Sequence, residues 1–272
     1  VINMNIGVIS DLHIDRHKSL KPKDYEYELI KAIQRNQVEL LLIAGDISNN
    51  YKLTQAFIKS VEVQAQIKVL FIPGNHDFWS ADTNATSAEI LEEYMGMEAC
   101  LIGKPYHLND AWAIVGNTGW YDYSYASPEF SLERIARRKY YGATWQDKVK
   151  IDWPMDDRKL SRIAANQAIK DIEKVKDKQI ILMTHIVTHP KFAVPMPHRL
   201  FDYFNAFIGT SDFDEIYKKY PIRYSIMGHV HFRNRFDEQG VTYICPCLGY
   251  QREWRSDDVT REIDHALNII QI

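Results

Sequence analysis

Apolar and polar positions divide this chain into short, almost wholly apolar runs separated by amphipathic ones. Met4 to Ser10, Glu39 to Ala44 and Ile67 to Ile72 are runs of the first kind, and the second carries Leu40, Leu41, Leu42 and Ile43 without a break. Runs this short and this apolar predict strands buried on both faces. After a polar loop containing Pro22, Asp24 to Asn36 places Tyr25, Leu29, Ile30 and Ile33 at helical spacing, with Asp24 as the expected N-cap; Tyr51 to Gln66 reads as a second helix. Strand, helix, strand, helix, strand predicts right-handed crossovers and a parallel sheet. The same grammar continues with a helix over Asn84 to Met95, a strand over Ala111 to Asn117, and a long helix over Asp156 to Lys176 with Leu160, Ile163, Ala164, Ala168 and Ile172 on one face. Strands over Gln179 to Thr184 and Arg223 to Met227 follow. A hairpin of Phe232 to Phe236 with Val241 to Cys245, joined across Glu238-Gln239-Gly240, and an edge strand within His265 to Gln271 close the pattern.

Two stretches break this rhythm. Residues from about 121 to 153 hold Tyr123, Tyr125, Phe130, Tyr140, Tyr141 and Trp145 together with Arg134, Arg137, Arg138 and Lys139. They read either as a helix with a solvated charged face or as a lid or substrate wall, since aromatic-rich excursions from a rigid scaffold often carry specificity. Residues from about 186 to 211 contain Pro190, Pro195 and Pro197 ahead of a short helix within His198 to Phe207. With no linker, repeat or low-complexity tract, residues 1–272 are expected to form a single domain carrying both excursions.

Composition narrows the chemistry. The 272 residues are 46% apolar, carry a formal net charge of −3 and have a pI near 6.4. That balance gives no general attraction to nucleic acid or an anionic membrane, so a phosphate-bearing substrate needs a local positive centre such as a metal. The three cysteines, Cys100, Cys245 and Cys247, are an odd number without CxxC spacing, which fits a reducing cytoplasm. Cys245-Pro246-Cys247 reads as two small strand residues rather than a soft-metal site. No apolar run approaches the roughly 20 residues of a membrane span, and the N-terminus has no signal pattern, so a cytoplasmic location away from membranes is expected.

The polar residues that end the apolar runs are chemically alike: Asp11 and His13, Asp46, Asn75 and His76, His185, then His229 and His231. Each alone has an ordinary explanation as a helix cap or a hydrogen-bonded loop histidine. In an open α/β sheet, however, ligands bind beyond the carboxyl ends of the strands, so these side chains are expected to converge. Setting His76 aside, two carboxylates, one amide and four imidazoles suffice for two metal ions sharing a bridge. With no thiolate among them, the set suits manganese, iron, zinc or cobalt.

Asp11-x-His13, Gly45-Asp46, Gly74-Asn75-His76-Asp77, His185 and Gly228-His229-x-His231 together resemble the calcineurin-like metallophosphoesterase superfamily. The resemblance spans residues 6 to 231. It implies an α/β fold, a four-layer α/β/β/α sandwich of two mixed sheets with a dinuclear metal site at the strand ends. One divalent ion, with manganese, iron or zinc favoured, would be held by Asp11, His13, Asp46 and His231, and the other by Asp46, Asn75, His185 and His229. Asp46 would be the bridge. The implied reaction is hydrolysis of a phosphoric ester by a metal-bridging hydroxide, with His76 protonating or stabilising the leaving oxygen and Asp77 supporting the turn.

Departures from the pattern shape the expected substrate. Gly45-Asp46-Ile47-Ser48-Asn49-Asn50 has Asn49 where the protein-phosphatase branch has an aspartate, and no arginine follows. This argues against a protein phosphatase and is similar to the bacterial-type small phosphoesterases, as is Val115 to Trp120. Asn49, Trp120, Tyr121 and Arg199 are the expected substrate contacts. The expected partner is a small phosphorylated molecule, with diesters ahead of monoesters because no arginine fork meets a doubly charged phosphate. Two alternatives stand beside it. One is a nuclease for single strands or short nucleotides, with the aromatics of 120 to 145 as stacking surfaces. The other is a catalytically silent protein-binding scaffold.

Overall fold

The computed structural model describes residues 3–79 and 84–272. Among them the strands are, in chain order, β1 (Asn5–Ile9), β2 (Leu40–Ile43), β3 (Lys68–Phe71), β4 (Tyr106–His107), β5 (Trp112–Gly116), β6 (Lys139–Tyr140), β7 (Ala143–Thr144), β8 (Gln179–Met183), β9 (Ile222–Ile226), β10 (Asn234–Glu238), β11 (Val241–Cys245) and β12 (Asn268–Gln271). The α-helices are α1 (Pro22–Arg35), α2 (Tyr51–Ala65), α3 (Ser87–Met95), α4 (Leu132–Ala136), α5 (Asp147–Lys150), α6 (Asp157–Glu173), α7 (Phe201–Phe204), α8 (Asp214–Lys219) and α9 (Val259–Ala266).

Two mixed sheets form the centre. The first has the order β12-β1-β2-β3 and is parallel except for β12, which runs antiparallel to β1. The second has the order β10-β11-β9-β8-β5-β4, parallel inside and antiparallel at both edges. Period-two alternation along the second sheet sorts its side chains into two layers. Ile114, Ile181, Met183, Ile226 and Ile244 join the core shared with the first sheet. Ala113, Val115, Ile180 and Leu182 face the other way, against Ala165, Ala168 and Ile172 of α6. Leu29 and Ile33 of α1, Phe57 and Val61 of α2 and Ile263 of α9 pack on the first sheet. The result is the expected α/β/β/α sandwich. All four side chains of β2 are buried, each worth about 2 kcal/mol of transfer free energy, which explains why its pattern admits no polar residue.

Several boundaries differ from the sequence reading. Helix α1 starts at Pro22, two residues before Asp24, because proline at the first helical position forfeits no bond and has its φ preset. Asp24 lies one turn in and accepts the Lys21 N–H at 2.7 Å. Helix α3 starts only after Thr86, which exchanges capping hydrogen bonds with Glu89. The hairpin is shifted, since β10 runs to Glu238 and the turn is just Gln239 (φ 50°) and Gly240 (φ 79°), both in the conformation that a two-residue type I′ loop demands. The short strand β4 and helices α8 and α9 have no counterpart in that reading.

The 121–153 stretch is not one helix. Only α4 and α5 are helical, and the β6–β7 hairpin turns between them at Tyr141 and Gly142, both at positive φ. Its aromatics pack inward on the other excursion: Tyr140 stacks on Tyr203 at 4.9 Å and Trp145 on Phe207 at 5.3 Å. Arg138 is spent on the buried Asp157 carboxylate at 2.6 Å, which also accepts Trp120 Nε1–H at 2.8 Å. The basic cluster is thus part anchor and part surface.

Candidate metal centre

The loops that leave β1, β2, β3, β8 and β9 meet at one edge of the sandwich and are stitched together through their backbones. Asp11 N–H donates to Gly45 C=O at 2.9 Å, His13 N–H to Asp46 C=O at 3.0 Å, and Gly228 N–H to His185 C=O at 3.0 Å. A bridge between Ser10 and Cys247 ties the two sheets at the same level. Five of the side chains expected to ligate metal sit on left-handed backbone: Asp11 (φ 53°), His13 (φ 43°), Asp46 (φ 56°), His229 (φ 74°) and His231 (φ 59°). Such a cluster of non-glycine αL residues persists only where the surroundings over-determine it. Gly45 permits the approach; a Cβ there would lie 2.6 Å from Gly74 N and 2.7 Å from His185 Nδ1.

Donor atoms of Asp11, His13, Asp46 and His231 all lie within 4.8 Å of one another, as do those of Asp46, His185 and His229. Asp46 belongs to both groups. Asn75 joins the second, its Oδ1 standing 3.0 Å from His185 Nε2 and 3.0 Å from His229 Nδ1. In the first, His13 Nε2 and His231 Nε2 are 3.0 Å apart.

The imidazoles are oriented from behind. His185 Nδ1–H donates to Ala44 C=O and His229 Nε2–H to Phe207 C=O, both at 2.8 Å, while His231 Nδ1–H donates to Glu253 Oε2 at 2.8 Å. Each therefore turns its other nitrogen into the cluster, His185 Nε2 toward Asp46 Oδ2 at 3.4 Å, His231 Nε2 toward Asp11 Oδ1 at 3.3 Å and His229 Nδ1 toward Asn75 Oδ1 at 3.0 Å, the arrangement that metal-ligating histidines use. Cys247 Sγ–H donates to Asp11 Oδ2 at 3.1 Å, and burial pushes its thiol pKa well up, so it serves the carboxylate as a neutral donor.

Electrostatically the place favours cations. Burial opposes protonation of His231 and His185, yet Asp11 with Glu253 carries the first up to about 10, and Asp46 with Asp11 the second up to about 9. His229, buried and beside His185, is drawn down to about 4. Two buried carboxylates, one amide oxygen, no thiolate ligand and four imidazoles, three of them held from behind while His13 Nδ1 is buried without a partner, form a donor set that fits two borderline divalent ions.

His76 stands at the border of this cluster. Its Nδ1–H donates to Asn49 Oδ1 at 2.8 Å, its ring stacks on Trp79 at 3.8 Å, and Tyr250 Oη lies 3.4 Å from its Nε2. Asp77 faces away. Its carboxylate accepts the backbone N–H groups of Asp46, Ile47, Ser48 and Gly74 and the Thr54 hydroxyl, locking the β2 and β3 loops together.

A cavity of about 440 Å³ opens over the cluster, with Arg16, Trp79, Trp145, Phe201, Tyr250 and Arg252 among its lining. None of the four expected substrate contacts is part of this cavity's lining. Asn49 is occupied in orienting His76. Trp120 and Tyr121 are buried, their polar atoms bonded to Asp157 and Asp147, because the apolar body of each ring belongs to the core beneath the excursions. Arg199 lies over the Tyr141 ring, 5.2 Å from its centroid. The residues that do surround the donors include Asp147, Tyr250 and Glu253. Tyr250 and Glu253 lie in the loop after β11, separated from the last histidine pair by the β10–β11 hairpin, and Asp147 sits between Gln146 and Lys148; none of the three gives a local signal.

Comparison with known proteins bears on the family and the fold. A family model described as Calcineurin-like phosphoesterase matches residues 4–233. The chain is similar to the [acyl-carrier-protein] phosphodiesterase PptH of Mycobacterium tuberculosis, 24% identical over 237 residues that cover 79% of this chain and 70% of that protein. Over 80 residues, 28% of this chain and 34% of the relative, it is 35% identical to a probable cyclic nucleotide phosphodiesterase of Vesicomyosocius okutanii. The crystal structure of the M. tuberculosis phosphopantetheinyl hydrolase superposes with a TM-score of 0.75 over 98% of this chain and 96% of that one, at 19% identity. A dimetal phosphatase from Danio rerio superposes with a TM-score of 0.52 over 89% of this chain and 86% of that one, at 14% identity.

Proposed function

The chain belongs to the calcineurin-like phosphoesterase family, and from that premise we propose that it is a metal-dependent hydrolase of a small phosphodiester, with His76 acting on the leaving oxygen. The observation that carries this is the pair of donor groups sharing Asp46, set beside His76 at the floor of one cavity. When bound, two divalent ions would offset phosphoryl charge and lower the pKa of a water.

The chain's own groups do the rest. Asn49 occupies Nδ1 of His76, so Nε2 is the atom offered to the substrate, and Trp79 fixes the plane of the ring. The cavity is asymmetric about the cluster. On the His229 side stands Trp145, its ring 5.7 Å away, with Phe201 and Ile208 also lining the wall; on the His231 side stand Tyr250, Arg16 and Arg252. A phosphodiester has two arms to place, and two unlike walls suit it better than a monoester, which has one. The phosphodiesterase names of both relatives support the same ordering.

The test is hydrolysis of bis-nitrophenyl phosphate against mono-nitrophenyl phosphate by manganese-loaded protein, before and after chelation. Faster diester turnover, abolished by chelator and restored by manganese, is expected; a large monoester excess would refute the ordering. His76→Ala is expected to keep its metal and lose at least about 100-fold in kcat.

A further inference from the structure

We propose that Asp147 is a positioning residue for the metal centre: it holds the Asn75 amide so that Oδ1, and not Nδ2, meets His185 and His229. The proposal rests on the reading of Asn75 as a ligand. The two ends of a carboxamide are nearly equal in size and opposite in charge, so packing alone does not choose between them. A flipped Asn75 would aim N–H groups at a cation. What chooses is on the other side of the amide, where Nδ2 donates to both Asp147 oxygens at 3.0 and 3.1 Å.

Asp147 is itself rigidly held. Trp79 Nε1–H donates to its Oδ1 at 2.8 Å, and Trp145 Nε1–H and Tyr121 Oη–H donate to its Oδ2 at 3.0 and 3.2 Å. Its exposure is 1%, and all of these partners, like Asn75, are neutral. A buried carboxylate without a counter-charge is costly, and a cation held across Asn75 supplies the missing charge. This assigns a task to the excursion between residues 121 and 153: Tyr121, Trp145 and Asp147 reach under the site from that stretch and set one ligand. The indoles of Trp79 and Trp145, anchored to the same carboxylate, also line the cavity.

The experiment is calorimetric titration of the metal-stripped protein with Mn²⁺. Wild type is expected to take up two ions. Asp147→Asn should bind the second ion about 10–100-fold more weakly, with the first ion and the far-UV circular dichroism unchanged. The reciprocal exchange, Asn75→Asp combined with Asp147→Asn, turns the same hydrogen bond around while leaving an oxygen toward His185 and His229, and should restore the second ion. Second-ion affinity of Asp147→Asn within about threefold of wild type overturns the proposal. If that variant does not fold, Tyr121→Phe combined with Trp145→Phe, which strips both anchoring donors from Asp147 Oδ2 and keeps the Asn75 amide, decides: a weakened second ion supports positioning and an affinity within about threefold of wild type overturns it. Asn75→Ala separates this idea from its premise. Loss of the second ion there, with retention in Asp147→Asn, overturns the positioning role alone, whereas two ions in Asn75→Ala overturn the ligand reading as well.

Discussion

Asp77 offers the sharpest measure of how the site loops are held. Its Oδ1 accepts Ile47 N–H at 3.0 Å, Ser48 N–H at 3.2 Å and the Thr54 hydroxyl at 2.9 Å, while Oδ2 accepts Asp46 N–H and Gly74 N–H at 2.7 Å each. The residue is fully buried. Asp77→Ala strips five donors of their acceptor at once. At about 1 kcal/mol for each orphaned donor the loss is about 5 kcal/mol, and water entering the vacated space reduces it to no less than about 3 kcal/mol. Asp77→Asn keeps the shape and one acceptor oxygen but turns an amino group toward the two donors at Oδ2, so about 2 kcal/mol is expected. Urea unfolding of chelator-treated protein measures both without the contribution of metal binding. Because the donors belong to the loops bearing Asp46 and Asn75, Asp77→Ala should also weaken metal uptake in whatever fraction folds. A stability loss below about 1 kcal/mol with unaltered uptake would refute the view that one carboxylate braces both loops.

Two further predictions test the surroundings. Arg138→Met leaves Asp157 buried without its cation and should cost about 3–5 kcal/mol, seen as a lowered urea midpoint and faster proteolysis between residues 122 and 150. Glu253→Ala removes the acceptor behind His231 Nδ1 and should weaken Mn²⁺ binding about 10–100-fold with little change in the urea midpoint; unchanged affinity would show that His231 needs no partner to hold its tautomer.

How far the chain could be read before its structure depended on whether a feature is local. The apolar runs at β1, β2, β3 and β8 and the donors that end them lie within a few residues of one another, so periodicity and strand-end logic found both. That Asn49 carries no charge follows from its residue type, but its use as the acceptor that orients His76 depends on a distance between two loops. Trp120 and Tyr121 look like substrate contacts because they follow a strand end; three-dimensional packing instead turns both rings into the core beneath the excursions.

By itself the sequence determined the alternation of elements, the donor types at the strand ends and their order, because these follow from hydrophobic periodicity and residue chemistry along the chain. The tertiary structure decided which atom of each donor faces inward. His185 relies on a carbonyl 141 positions away and Asp11 on a thiol 236 positions away. Asn75 relies on a carboxylate 72 positions away. Orientation of an imidazole or an amide is set by the hydrogen bond on its far side, and in this molecule the partners come from segments whose own sequence carries no mark of the task.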